Sequence, residues 1–317
     1  MLEKFFLRRP VQADAEQVLD LMLRCDVRDV GFADSDMEDL VHDWQQCNPA
    51  QDAWLAINAS GQIQGYGAVL PWSDGKRLAI YDDPGSEHSD LFMGLLILCE
   101  KRGVSMLQET AEASKNLVVT HVSASSDYQI KILEEAGYSQ ARFIFNMHMD
   151  LDQSLPEISL PQGVSLRTAV PGQDDRVLYE LIEDAFDWRE RQPQTFEEWR
   201  TFMLRPEIFD PNLWLLAEHE KQVIGACLCF AYNEMGWVRQ LAVKKSWRGK
   251  SIGRALLLQV FQEFKQRGFP KVGLAVESSN PDACRFYERS GMAKAVHLIE
   301  YAKPVSLGPS SESPPSS

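Results

Sequence analysis

The sequence predicts an α/β protein built from two copies of one fold. Segments with apolar residues at alternate positions, typical of strands, are interleaved with segments whose apolar residues recur every three or four positions, typical of helices. The pattern occurs twice, because residues 7–11 and 53–55 reappear in the same order as residues 166–170 and 213–215. A chain of 317 residues is long enough for two domains of ordinary size.

Composition and charge narrow the classes of protein. Hydrophobic residues make up 44% of the chain and charged residues 25%, which is typical of a globular protein. The formal net charge of −14 argues against nucleic acid as a partner and favours a cationic small molecule. No apolar run approaches the roughly 20 residues of a membrane span, and the charged N-terminus does not resemble a signal peptide. We therefore expect a cytoplasmic protein without a membrane partner.

The six cysteines are scattered along the chain, and none of them forms a CxxC pair. Cys227 and Cys229 are predicted to share one face of a strand. Histidines do not lie at metal-ligand spacing near any of the cysteines. We therefore expect reduced, mostly buried thiols and no metal site.

The second half carries the stretch from which a function can be argued. Residues 238–243 predict a short strand, and the apolar stripe of residues 252–264 predicts an amphipathic helix. The first N–H groups of a helix have no partner within it, and their dipoles favour an anion. The turn before this helix is basic and has two glycines that let a ligand approach closely. It predicts a cradle for phosphate or pyrophosphate, made of Arg248, Gly249, Lys250, Ser251, Ile252, Gly253 and Arg254.

A second strand and helix follow this cradle. Residues 271–277 alternate between apolar and polar side chains, as in a strand. Asn280 is a good N-cap for the next helix, and Pro281 suits its first position. That helix carries Tyr287 and is predicted to end at Gly291.

Together the two segments resemble the GNAT superfamily of acyl-CoA-dependent N-acyltransferases. The turn reads RGKSIGRA, which is similar to the family's Q/R-x-x-G-x-G/A pyrophosphate loop, with Ser251 in place of a glycine. The segment from Asn280 to Met292 is similar to the family's N-x-x-A-x-x-F/L-Y-x-x-x-G-F pattern. The resemblance covers roughly residues 163–304, with a weaker echo in the N-terminal half.

The resemblance implies two tandem GNAT folds, each with a mixed, mostly antiparallel central sheet flanked by helices. This arrangement is similar to that of mycothiol synthase-like acetyltransferases. The first copy has acidic residues where the second has its basic turn, and these would repel a pyrophosphate: Asp82, Asp83 and Glu87. We expect a degenerate domain without a cofactor site at residues 1–152, a catalytic domain at 153–304 and a disordered tail at 305–317.

The resemblance also implies roles for individual residues. In the resembled family, the backbone of a splayed central strand meets the thioester carbonyl and the pantetheine arm, and the matching residues are Leu241, Ala242 and Val243. Tyr287 matches the general acid that protonates the leaving thiolate. Asn280 is expected to contact the cofactor arm.

The general base is less clearly marked. Members of the family often carry a glutamate on the central strand, but Trp237 and Arg239 hold the two positions here, and neither accepts a proton at neutral pH. Glu234, just before the strand, is the predicted catalytic carboxylate. Carboxylates of the predicted substrate wall, or a chain of waters, are alternatives. That wall is predicted to include Asp187, Trp188 and Glu190.

The sequence therefore predicts an N-acetyltransferase. It would transfer an acetyl group from acetyl-CoA to the primary amine of a small cationic acceptor, by direct attack in a ternary complex. Two alternatives stay open: an acetyltransferase for protein or peptide amines that uses the first domain for docking, and a non-catalytic acyl-CoA-binding regulator. We expect a monomer or a homodimer.

Overall fold

The computed structural model contains two compact units. The first combines residues 1–144 with residues 296–317, and the second is the continuous stretch 145–295. The structure describes residues 2–31, 35–72, 75–85, 89–110, 116–185, 195–204, 209–232 and 235–306.

These units do not coincide with the contiguous domains expected at residues 1–152 and 153–304. The reason is a long-range pairing: Leu298 to Pro304, near the end of the chain, pairs antiparallel with Leu117 to Ser123 of the first half. A repeat in sequence assigns each strand to the copy in which it occurs. It carries no information on such a distant partner.

Regular elements cover most of both units. The strands are β1 Phe6–Arg8, β2 Ala53–Ile57, β3 Ile63–Trp72, β4 Gly75–Asp82, β5 Leu117–Ser123, β6 Ser139–Asp150, β7 Val164–Thr168, β8 Trp214–His219, β9 Gln222–Tyr232, β10 Met235–Val243, β11 Lys271–Glu277 and β12 Ala293–Pro304. The helices are α1 Ala15–Val30, α2 Met37–Gln46, α3 Pro49–Asp52, α4 Ser89–Thr110, α5 Asp127–Glu135, α6 Asp175–Ala185, α7 Phe196–Met203, α8 Ile252–Gln266 and α9 Pro281–Arg289. None of the helices in the described residues is long and apolar enough to cross a membrane.

The sheet of the first unit has the order β1-β2-β3-β4-β5-β12. All neighbours are antiparallel except β4 and β5, which are parallel. Helix α1 ends at Gly31, whose φ of 84° is the left-handed conformation that glycine adopts without strain. One face of the sheet packs on α1 and α2, and the other packs on α4 and α5. The unit is thus a mixed sheet between two helical layers, as predicted.

The sheet of the second unit has the order β6-β11-β10-β9-β8-β7. The pairs β10–β9, β9–β8 and β8–β7 are antiparallel, and β10 and β11 are parallel. Helix α8 buries a continuous stripe from Ile252 to Phe264 in the core, which confirms the predicted amphipathic helix. A side chain at Gly236 would meet the Phe264 ring at 2.5 Å, so strand and helix are in close contact there. This contact fixes α8 against β10, the strand that leads into the basic turn.

Helix α7 begins after Thr195, which is its N-cap. Thr195 and Glu198 make a reciprocal cap: the Thr195 N–H donates to Glu198 Oε2 at 2.8 Å, and the Glu198 N–H donates to Thr195 Oγ1 at 3.3 Å. All six cysteines are free, and all but Cys47 are buried. Cys227 and Cys229 lie on one face of β9 with their sulfurs 3.7 Å apart, as the alternation predicted.

Candidate functional site

The site is built on the point where β10 and β11 separate. Their parallel ladder covers only the pairs from Met235–Lys271 to Trp237–Gly273, although β10 continues to Val243 and β11 to Glu277. The ladder between β10 and β9 shifts register between Val238 and Gln240, which is the signature of a bulge. Beyond the bulge, the edge of β10 that faces β11 is therefore left open to a ligand. The splayed strand implied by the family resemblance is present, and Leu241, Ala242 and Val243 form its open part.

The basic turn adopts the conformation that a cradle requires. Gly249 has a φ of 75°, and Ser251, the N-cap of α8, has a φ of 63°. A non-glycine residue in the left-handed region costs about 1–2 kcal/mol, so the chain tolerates strain at Ser251. The first bond within the helix is from the Ala255 N–H to the Ser251 carbonyl. The preceding amides, those of Ile252, Gly253 and Arg254, therefore point out of the start of the helix.

The side chains of the turn have separate tasks. The Arg248 guanidinium donates to the Val243 carbonyl at 3.2 Å and to the Ala185 carbonyl at 2.9 Å, so it ties the turn to β10 and to the end of α6. The Lys250 ammonium lies 4.4 Å above the Trp247 ring, and its residue is exposed. Ile252 is buried in the core and offers a ligand only its backbone. The part of the turn that could hold an anion is thus the amide group of residues 252–254, with Lys250 and Arg254 as nearby cations.

Gly253 sits at the closest approach between the turn and α9. A Cβ at this position would lie 3.5 Å from Val243 Cγ2 and 3.6 Å from Phe286 Cζ, which are ordinary contact distances. Asn280 Oδ1 accepts the Ala283 N–H at 3.0 Å, which confirms its role as N-cap of α9. Contact of Asn280 with a cofactor stays a prediction.

Tyr287 lies on the same side of the sheet as α8. Its ring packs edge-on against Phe286, with the centroids 5.1 Å apart, and the residue is half-buried. Burial raises the pKa of Tyr287 above its usual range, and the Cys227 and Cys284 thiols raise it further. Cys227 lies opposite Leu241 in the β9–β10 ladder. The phenol is therefore close to the open part of β10, and at neutral pH it carries the proton that a general acid must donate.

The opposite side of β10 faces an aromatic cluster. Trp199 Nε1 donates to Gln240 Oε1 at 3.2 Å, immediately after the bulge. Trp199 also packs against Tyr179, Trp214 and Phe196 with centroid distances of 5.9, 6.1 and 6.4 Å. Trp199 is 1% exposed, so its main role is in the core, and it fixes the side chain of Gln240. No sequence pattern marked Gln240, although it lies directly before the stretch Leu241 to Val243 that the family resemblance implies is splayed.

Several predicted site residues belong to segments outside the described ranges. Glu234, the predicted catalytic carboxylate, and the predicted substrate-binding residues Asp187, Trp188 and Glu190 lie outside the described residues. Of the other carboxylates in that segment, Glu198 is used in the cap of α7. In the described ranges, no group of three or more His, Cys, Asp or Glu residues could hold a metal ion.

The residues around the last pair of the β10–β11 ladder, Trp237 and Gly273, are tightly packed and include a histidine. A Cβ at Gly273 would lie 2.8 Å from the Trp237 ring and 3.0 Å from His148 Cδ2. Burial and, to a smaller extent, the Lys271 ammonium lower the pKa of His148 to about 4, although Asp150 opposes the shift. At neutral pH the imidazole is therefore uncharged.

This pKa shift predicts a loss of stability in mild acid. As the pH falls below about 6.5, unfolded chains bind a proton on His148 before the folded protein does, so folding is progressively penalised until the pH reaches about 4. The imidazole is partly solvated, so we expect about 1–2 kcal/mol rather than the full linkage value. Urea unfolding of the wild type and of His148→Gln at pH 7 and pH 4.5 measures the difference. Equal losses in both proteins would contradict the assignment.

The equivalent place in the first unit is filled by its own side chains. In the first unit Asp82 pairs with Gly65 in the β3–β4 ladder, and in the second unit Val243 pairs with Gly225 in the β9–β10 ladder. Asp82 and Val243 therefore occupy corresponding positions. The buried Asp82 carboxylate accepts bonds from Tyr128 Oη at 2.6 Å and Gln129 Nε2 at 3.1 Å, and Arg28 pairs with it at 3.4 Å. Burial raises the pKa of Asp82 against the effect of Arg28.

A groove of about 820 Å³ next to this position does not restore a cradle. Arg24 is its cation, but Arg24 is bonded to both Asp20 and Asp83, which leaves an excess of acid. Thr120 Oγ1 also donates to the Leu78 carbonyl at 2.9 Å, which bridges β4 and β5 just beyond their ladder. The open strand edge and the excess of positive charge that would admit a pyrophosphate in the second unit are therefore absent from the described residues of this region. Glu87 lies outside them.

Comparisons with known proteins agree with this geometry. A model of the acetyltransferase (GNAT) family matches residues 176–292. The mycothiol acetyltransferase of Thermomonospora curvata is 33% identical over 171 residues, which cover 53% of this chain and 57% of that protein. The chain thus spans little more than half the length of that relative.

Solved structures extend the likeness to both units. A tandem GNAT protein from the clavulanic acid biosynthesis pathway has a TM-score of 0.72 at 17% identity, covering 96% of this chain and 99% of that one, which is a likeness of fold. A GCN5-related N-acetyltransferase from Sphaerobacter thermophilus has a TM-score of 0.84 at 32% identity, covering 95% of this chain and 96% of that one. A relationship over nearly the whole of both chains shows that this chain belongs to the GCN5-related N-acetyltransferase (GNAT) family.

Proposed function

We propose that the protein is an acetyl-CoA-dependent N-acetyltransferase whose reaction takes place in the second unit. The observation that supports this most directly is a coincidence of three groups on one face of β10. The open backbone after the bulge, the amides at the start of α8 and the protonated phenol of Tyr287 all lie along the same stretch of strand. They match the needs of an acyl thioester: a donor for its carbonyl, a cradle for its pyrophosphate and an acid for its leaving sulfur.

The proposed acceptor is the primary amine of a small cationic molecule. The aromatic side of α6 and α7 lies across β10 from Tyr287, so an amine bound there would reach the carbonyl carbon from the side of the strand opposite Tyr287. The net charge of −14 would attract a cation over a distance that salt limits to about 10 Å. The relatives named mycothiol acetyltransferase support a small-molecule acceptor.

A direct attack in a ternary complex accounts for the arrangement. The amine nitrogen forms a bond to the thioester carbonyl carbon, and backbone donors near Leu241 stabilise the charge that develops on the carbonyl oxygen. The carbon–sulfur bond then breaks, and Tyr287 gives its proton to the sulfur. This reaction needs no covalent intermediate on the protein.

The test is release of free CoA thiol from acetyl-CoA against a panel of amines. We expect turnover with small cationic primary amines, and kcat/KM should fall as ionic strength rises. Turnover only with peptide amines would favour the docking alternative. Binding of acetyl-CoA without turnover on any amine would leave a regulator and would overturn the proposal.

A further inference from the structure

We propose that Glu183 of α6 is the proton acceptor for the amine. This inference rests on the proposed function, because it assigns the base of that reaction. The predicted base, Glu234, lies outside the described residues, and the strand positions Trp237 and Arg239 cannot serve. Glu183 was not singled out by the sequence and is identified by its place in the fold.

Two contacts bracket Glu183 over the open half of β10. On one side, Tyr179 packs against Trp199, which donates to Gln240. On the other side, the Ala185 carbonyl accepts Arg248, which also donates to the Val243 carbonyl. Along α6, Tyr179 and Ala185 are about 9 Å apart, and Gln240 and Val243 are about 10 Å apart along β10. The helix and the strand therefore run alongside each other, and Glu183 lies between the two contacts.

The side chain of Glu183 belongs to the stripe of α6 that faces the aromatic cluster. Residues four apart lie on one face of a helix, so Glu183 follows Tyr179 on this face. Tyr179 packs against Phe196 of α7 with centroids 5.5 Å apart, and Arg176, one turn earlier, covers the same ring. The stripe therefore continues from the aromatic cluster to Glu183 on the side of the sheet opposite Tyr287.

The surroundings of Glu183 suit a base better than a structural carboxylate. Among the described residues it has no hydrogen bond or ion pair, although it is half-buried. The charged groups nearby are already engaged, since Arg176 pairs with Glu180, Arg200 with Asp175, and Arg248 with backbone carbonyls, while Glu198 caps α7. Burial raises the pKa of Glu183. The helix dipole disfavours a carboxylate in the last turn of α6, and that turn has no basic residue to offset this effect.

The proton balance is simple. Glu183 takes one proton from the bound ammonium and passes it to solvent, which leaves the neutral amine that attacks the carbonyl carbon. A second proton leaves the nitrogen for solvent as the carbon–nitrogen bond forms and the carbon–sulfur bond breaks. Tyr287 protonates the sulfur and regains its proton from solvent. The products are the amide, free CoA and one released proton.

The experiment compares the pH dependence of kcat/KM for the wild type, Glu183→Gln and Glu180→Gln. Glu180 is an exposed carboxylate of the same helix and serves as the matched control. For an alkylamine acceptor we expect Glu183→Gln to lower kcat/KM by about 100-fold and to remove the rise of rate with pH on the acid side. The control should keep the wild-type profile. An unchanged acid limb in Glu183→Gln would overturn the assignment.

An alkoxyamine acceptor separates a proton-transfer role from a structural one. Its conjugate acid is far stronger than an alkylammonium, so it is already neutral at pH 7 and needs no initial deprotonation. The effect of Glu183→Gln should therefore shrink to within a few-fold with the alkoxyamine. An equal loss with both acceptors would show that Glu183 only shapes the site. Absence of wild-type turnover with every amine would instead refute the proposed function.

Discussion

Replacing Tyr287 with phenylalanine should lower kcat by about 10²–10⁴-fold, the usual contribution of a general acid. The variant keeps the ring that packs against Phe286 and loses only the hydroxyl, so the fold and the affinity for acetyl-CoA should change little. The effect should be largest with poor leaving groups, because the acid acts on the sulfur as the carbon–sulfur bond breaks. Single-turnover kinetics, which isolate the chemical step, are the appropriate measurement.

A matched control is Tyr301→Phe. Tyr301 is a buried tyrosine of the first unit whose hydroxyl donates to Glu134 at 3.0 Å and accepts from Gln140 at 2.9 Å. Removing that hydroxyl should cost about 1 kcal/mol of stability and leave kcat unchanged. If Tyr287→Phe keeps the wild-type rate of the chemical step, Tyr287 is not the acid, and the proton must come from solvent.

Replacing Gly253 with aspartate should weaken acetyl-CoA binding by at least about 100-fold. A carboxylate at this position would compete with the pyrophosphate for the amides of residues 252–254. It would also repel the anion, and two like charges about 4 Å apart cost roughly 1 kcal/mol in water and 4 kcal/mol near a protein surface. An acidic residue in the first turn stabilises a helix, so the variant should fold. Isothermal titration calorimetry measures the affinity.

Gly253→Ala is the control for this variant. Its added Cβ meets Val243 and Phe286 at ordinary contact distances, so the cradle should keep its shape and its affinity within a few-fold. A normal affinity in Gly253→Asp would place the pyrophosphate elsewhere. Loss of affinity in Gly253→Ala as well would indicate that contact with Phe286, rather than charge, controls binding.

The elements around the site could be predicted because their signals are local. The stripe of α8, the alternation of β11 and the cap of α9 at Asn280 each depend on residues adjacent in sequence. The left-handed Ser251 is a further local feature, since it stands where the related pattern has a glycine. The splay of β10 and β11 followed only from the family resemblance, because no local pattern states where a ladder ends.

The parts that the sequence could not supply depend on distant contacts. The pairing of β5 with β12 joins residues that are far apart in the chain, so the bounds of the units differ from the predicted ones. Glu183 looks like any surface carboxylate of an amphipathic helix until Arg248 and Trp199 fix where that helix lies on β10. The predicted substrate wall of Asp187, Trp188 and Glu190 lies outside the described residues, and Trp199, which follows it in sequence, is buried in the core.

The first unit shows how a fold can be kept while a site is lost. Asp82 provides an internal anion for Arg28, and its carboxylate also accepts bonds from Tyr128 and Gln129. In the second unit the corresponding residue is Val243, so no carboxylate stands at this position next to the cradle. We therefore expect that acetyl-CoA is bound in the second unit alone.

The most direct test of this account is the number of acetyl-CoA molecules that bind per chain, measured by isothermal titration calorimetry on the full-length protein. The account predicts one site per chain, which Gly253→Asp removes and Asp83→Asn in the first unit leaves intact. Two sites per chain, or one site that survives Gly253→Asp, would contradict the assignment of the cofactor to the amides of residues 252–254.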